Sequence, residues 1–117
     1  MLKKYGSLIS VFILLFLVAC ATKPESDVDT PEYHFKAGMR ASDNSDYQQA
    51  IKSFQRSVDL DKKFVLGYGG LGLANAHLGQ NSEAKKNAST CASRGSKDPE
   101  ALSLSAQVWI VMRDSEK

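Results

Sequence analysis

Reactive side chains are scarce in this chain of 117 residues, which has two cysteines, two histidines and one tryptophan. The histidines, His34 and His77, stand alone and 43 residues apart, so they lack the close pairing of a metal site. Excess charge is lacking too. The formal net charge is +2, and Lys and Arg do not cluster into the basic patch that nucleic-acid binding leans on. No apolar run is long enough to cross a bilayer as a helix. The longest, Leu8 to Ala19, has 12 residues, where a spanning helix takes roughly 20. The carboxylates Asp43, Asp46, Asp59 and Asp61 fall at the ends of predicted helices, where capping explains them without acid and base chemistry.

What is present is a repeat. From Pro31 to Lys62 the chain reads as one helix, a tight polar turn and a second helix, and then the pattern starts again. Gly38 returns 34 residues later as Gly72, Ala50 as Ala84, and the pair Pro31-Glu32 as Pro99-Glu100 after twice that interval. A helix-turn-helix unit at this period resembles the tetratricopeptide repeat. With units beginning at Pro31, Val65 and Pro99, the small residue at a helix crossing is Gly38, Gly72 and Ala106, and the second small residue is Ala50 and then Ala84. Tyr47 and Phe54 match the family's aromatic positions in the first unit, whereas Asn81 and Ala88 depart from them in the second. The resemblance implies an all-α fold, a short tetratricopeptide-like helical solenoid of two helix-turn-helix units plus one C-terminal helix, over residues 31–114.

The start of the chain has the order of a secretory signal: basic Lys3 and Lys4, the apolar run, then Leu17-Val18-Ala19-Cys20. Those four residues resemble the lipobox of bacterial lipoproteins. The resemblance implies a signal peptide at 1–19, removed just before Cys20, and lipidation of Cys20. Loss of Lys3 and Lys4 leaves thirteen basic against thirteen acidic residues, a neutral mature chain. Cys91 is then the one remaining thiol, which cannot form an intrachain disulfide. Residues 21–30 are polar and acidic with one proline, a flexible tether by composition. Ala21 stands where an aspartate would hold such a lipoprotein at the inner membrane, so the resemblance implies an outer-membrane anchor facing the periplasm.

Helix boundaries can be read from local chemistry. Thr30 caps the first helix with Pro31 at its first position, Ser45 and Gln48 have the form of a capping box for the second, and Gly79 closes the third. Asp98 and Pro99 open the last. Gly67, Gly69 and Gly72 spell G-x-G-x-x-G, but a dinucleotide site needs a strand before that motif and a βαβ unit around it. The expectation is instead a helix weakened by glycine in exchange for close packing at Gly72. Cys91 has no base beside it in the sequence and is expected in the core.

No catalytic, cofactor-binding or metal-binding residues emerge, and the expected activity is protein docking rather than catalysis. The resemblance implies a concave face lined by Phe35, Met39, Leu66, Leu73 and His77, which would hold an envelope protein or peptide by apolar contact, as in small repeat lipoproteins that assist pilus or secretion assemblies. In the last helix Leu102, Ala106, Trp109 and Met112 are expected to face the preceding unit. Leu104, Val108 and Val111 then form a second row, a candidate second interface and the basis of an alternative in which the chain is a structural homodimer.

Overall fold

The computed structural model describes residues 28–117. Five helices follow one another: α1 (Pro31–Asp43), α2 (Tyr47–Leu60), α3 (Val65–His77), α4 (Asn81–Arg94) and α5 (Pro99–Ser115). Among the described residues there is no strand. α1 packs on α2 and α3 on α4, giving two helix-turn-helix units, and α5 lies across α3 and α4 as the first half of a third. The arrangement is a short tetratricopeptide-like stack.

Three helices are started by a side chain. Thr30 Oγ1 accepts from Tyr33 N at 3.2 Å, and Asp98 Oδ1 accepts from Glu100 N at 3.0 Å, with proline at the first helical position in both cases. The second start differs from the expectation. Asp46, not Ser45, caps α2 by accepting from Gln49 N at 3.1 Å. Ser45 turns the chain instead, at φ 59°, a left-handed conformation in which a short polar residue is tolerated better than a bulky one. Gly79 has φ +73° beyond the end of α3, the terminating geometry expected of it.

α3 is the centre of the stack and packs against all four other helices. Gly67 and every residue from Gly69 to Ala76 are buried. A helix enclosed on all sides shows no polar face, and here most of its near neighbours come too close for a side chain. A methyl carbon at Gly70 would lie within 3.0 Å of the Phe54 ring, and one at Gly38 on α1 would strike the same ring from the other side. At Gly72 it would meet Ala84 O and Ala88 N of α4 at 3.2 Å. Gly69 faces Cys91 of α4 and Leu104 of α5 in the same way. The glycine run is thus a thin helix that lets α2, α4 and α5 approach closely, and its G-x-G-x-x-G spacing lies wholly inside α3, with no strand before it among the described residues. Glycine costs about 1 kcal/mol per residue in a helix relative to alanine, which the burial of α3 against four partners offsets.

Phe54, Val108, Cys91 and Ser57 are the largest fully enclosed side chains. Phe35 packs its ring on Phe54 at 5.7 Å and on Phe64 at 5.8 Å, joining the first unit to the start of the second. The stack therefore has one continuous core.

Candidate docking surface

The five residues expected on the concave face divide on inspection. Phe35 and Leu73 are each 9 % exposed and belong to the core. Met39 and Leu66 are half-buried against it. His77 alone is exposed, and its ring stacks on Tyr47 with centroids 4.4 Å apart and planes 7° from parallel. Partial desolvation of the imidazole, stacked on Tyr47 while the residue as a whole stays exposed, lowers its pKa from the ordinary histidine value. This stack ties the beginning of α2 to the end of α3, so His77 joins the units as much as it faces outward. Phe35 and Leu73 are not available as open anchors, because with so few units their side chains are used to hold one unit on the next.

The last helix departs from the expectation: of the row expected to face the preceding unit only Met112 is buried, while Leu102, Ala106 and Trp109 are exposed. Ala101, Leu104, Ser105, Val108 and Met112 are buried, a row at helical spacing that rests on α3 and α4. Ser105 Oγ within that row donates to Ala88 O at 3.0 Å. Leu104 and Val108 are therefore core residues rather than a second interface, and Val111 at their edge is half-buried. Leu102, Trp109 and Ile110 are 44 %, 45 % and 49 % exposed, with Ala106 exposed among them. The register explains the difference. Gly38 meets α2, and Gly72 meets α4, each the second helix of its own unit. Ala106 holds the same place in the third unit, where no second helix follows among the described residues. The face that should meet it is left uncovered, while the face that meets the previous unit is satisfied.

A second concavity, a groove of about 400 Å³, opens between α2 and α4 over α3. Ile51, Val58 and Leu71 contribute apolar surface, and its walls carry Asp59 and Glu83 with Lys62 and Lys86. Neither sign is in excess, so the groove selects no charged ligand.

Cys91 is enclosed, its Sγ 3.3 Å from Ala101 O, and desolvation raises its pKa, which disfavours the nucleophilic thiolate. Among the described residues no group of three His, Cys, Asp or Glu side chains is placed to hold a metal ion. No helix among them is long and apolar enough to cross a membrane. Cys20 and the segment before it lie outside the described residues.

No family model, curated protein or solved structure matches the chain. The exposed apolar residues that sequence reasoning did not place at the surface are Leu102, Trp109 and Ile110. Ala106 and Trp109, at the eighth and eleventh positions of their unit, lie on that exposed face.

Proposed function

We propose that the chain is a lipid-anchored adaptor of the bacterial cell envelope, tethered through Cys20, that docks another envelope protein on the outer row of α5. The observation that carries this reading is the row itself. Leu102, Trp109 and Ile110 are nearly half-exposed on one face of the terminal helix, and a contiguous apolar face at a surface marks an interaction site more often than scattered single residues do. Helix stacking supplies the chemistry of the partner. The corresponding faces of α1 and α3 each receive a helix, so an amphipathic helix fits α5, its apolar side against Leu102 and Trp109. Catalysis forms no part of the proposal.

The lipobox resemblance of Leu17-Val18-Ala19-Cys20 supports the anchor, and Ala21 supports an outer-membrane address facing the periplasm. The resemblance to tetratricopeptide proteins supports docking as the activity, with pilus or secretion assembly as its setting. A second reading, a homodimer through the same helix, is favoured by one feature. Small Ala106 lies between large Leu102 and Trp109, a profile that a second copy running in the opposite direction can match with its own.

Photo-crosslinking in cells tests the proposal. A benzophenone side chain at residue 102 or 110 is expected to trap a protein partner, and the same group at Gln55, on the groove, is not. Trapping at Gln55 alone moves the site to the groove, and a product of twice the chain mass at 102 and 110 selects the homodimer. Mass spectrometry of the mature protein tests the anchor, with an acylated N-terminal Cys20 expected and an unacylated start elsewhere contradicting it.

A further inference from the structure

The three residues at the junction of tether and helix are each tied to the domain. Asp29 stands two residues ahead of α1, and its carboxylate accepts from two helices. His34 Nε2 on α1 lies 2.7 Å from Oδ1. Arg56 on α2 donates Nε to that same oxygen at 3.1 Å and Nη2 to the other oxygen. A guanidinium fork on a carboxylate fixes orientation as well as charge. Thr30 then caps α1 through Tyr33 N. The carbonyl of Pro31 accepts from Ser57 Oγ at 2.8 Å, and Ser57 is fully buried in α2. Asp59, the other carboxylate that attracts Arg56, accepts from Gln55 Nε2 at 2.9 Å, leaving the fork directed at Asp29.

We propose that Asp29 is a clasp that fixes where the N-terminal segment leaves the helical domain, binding it to α1 and α2 together. The part of the chain tied to α1 and α2 then begins at Asp29. Where the segment is the membrane tether of the preceding proposal, eight residues, Ala21 to Val28, separate Cys20 from the clasp, and a chain of that length spans at most roughly 28 Å. The clasp also sets which end of the stack faces the anchor: the end at which α1 begins and α2 closes. An unclasped junction would let the domain swing about Thr30. A clasped one presents α5 in a restricted range of directions.

The test uses the full chain and an endoproteinase that cuts on the amino side of aspartate. Cutting before Asp29 is measured relative to cutting before Asp27. Arg56→Gln is expected to raise that ratio roughly 1.5- to fivefold, the scale on which exposed ion pairs act, with the circular dichroism spectrum unchanged. Arg56→Lys is expected to fall between, since lysine keeps the charge and loses the fork. A ratio equal in wild type and Arg56→Gln overturns the clasp. If Arg56→Gln fails to fold, Asp29→Asn decides: faster hydrogen exchange at the Tyr33 and His34 amides supports the proposal, and unchanged exchange overturns it. The same ratios measured in Cys20→Ser are expected to be unchanged, which separates failure of the clasp from failure of the lipid anchor.

Discussion

The ring of Phe54 occupies a slot whose two walls are glycines, Gly38 on α1 and Gly70 on α3. Gly70→Ala is expected to destabilise the protein by about 1 to 3 kcal/mol in urea unfolding, because the ring is fully buried and has nowhere to go. His77 carries a second prediction at this scale. Its folded pKa is lowered by that partial desolvation, so the unfolded chain takes up a proton more readily. The stability contributed by the neutral ring is full above the ordinary histidine value near 6.5. It is lost as pH falls through that value toward the lower folded pKa. Melting temperature measured from pH 7.5 down to 5.5 (conditions of about one unit either side of that pKa) is expected to fall in wild type. In His77→Phe, which keeps a ring against Tyr47, the fall is expected to be smaller. Asp29 runs to the acid side: Arg56 first and His34 next lower its pKa, so the clasp holds above the ordinary aspartate range and opens as pH falls through the lowered value. At this scale the sequence was partly legible. Gly72 as a close crossing and Cys91 as a core thiol could be read from register, but the Asp29 clasp joins residues 27 apart and left no local signal.

Helix existence was legible and helix orientation was not. Pro31 and Pro99, Thr30 and Asp98, and Gly79 announce the ends of elements through chemistry local to each, and the structure places them there. α5 is different because it carries two apolar rows, Leu102 with Trp109 and Ile110 against Leu104 with Val108, Val111 and Met112, and its polar stripe of Glu100, Ser103, Gln107 and Asp114 borders both rows and so ranks neither. The packing of α5 on α3 and α4 decides between them. The decision is testable by a pair of substitutions two residues apart. Leu104→Ala is expected to cost about 2 to 5 kcal/mol, since Leu104 is 5 % exposed. Leu102→Ala is expected to stay within about 0.5 kcal/mol, since it is 44 % exposed. Equal costs would mean that α5 is turned toward the core by the wrong face.

At the scale of the whole molecule, a glycine-thinned α3 gathers four helices around itself, and α5, the last described helix, has one face packed and one exposed. The 34-residue return makes this architecture legible in the sequence, because it sets which helices pair. It could not show that a stack of so few units draws Phe35 and Leu73 into its own core. The docking surface proposed above lies instead on the exposed row of α5, which holds Trp109, the chain's one tryptophan. Its emission is the most direct test of the central claim. In the isolated protein Trp109, 45 % exposed, is expected to emit as a solvated indole. When the partner trapped at residues 102 and 110 is added in purified, tryptophan-free form, the emission is expected to shift to the blue as the indole is covered. A complex that forms with Trp109 emission unchanged would contradict the account.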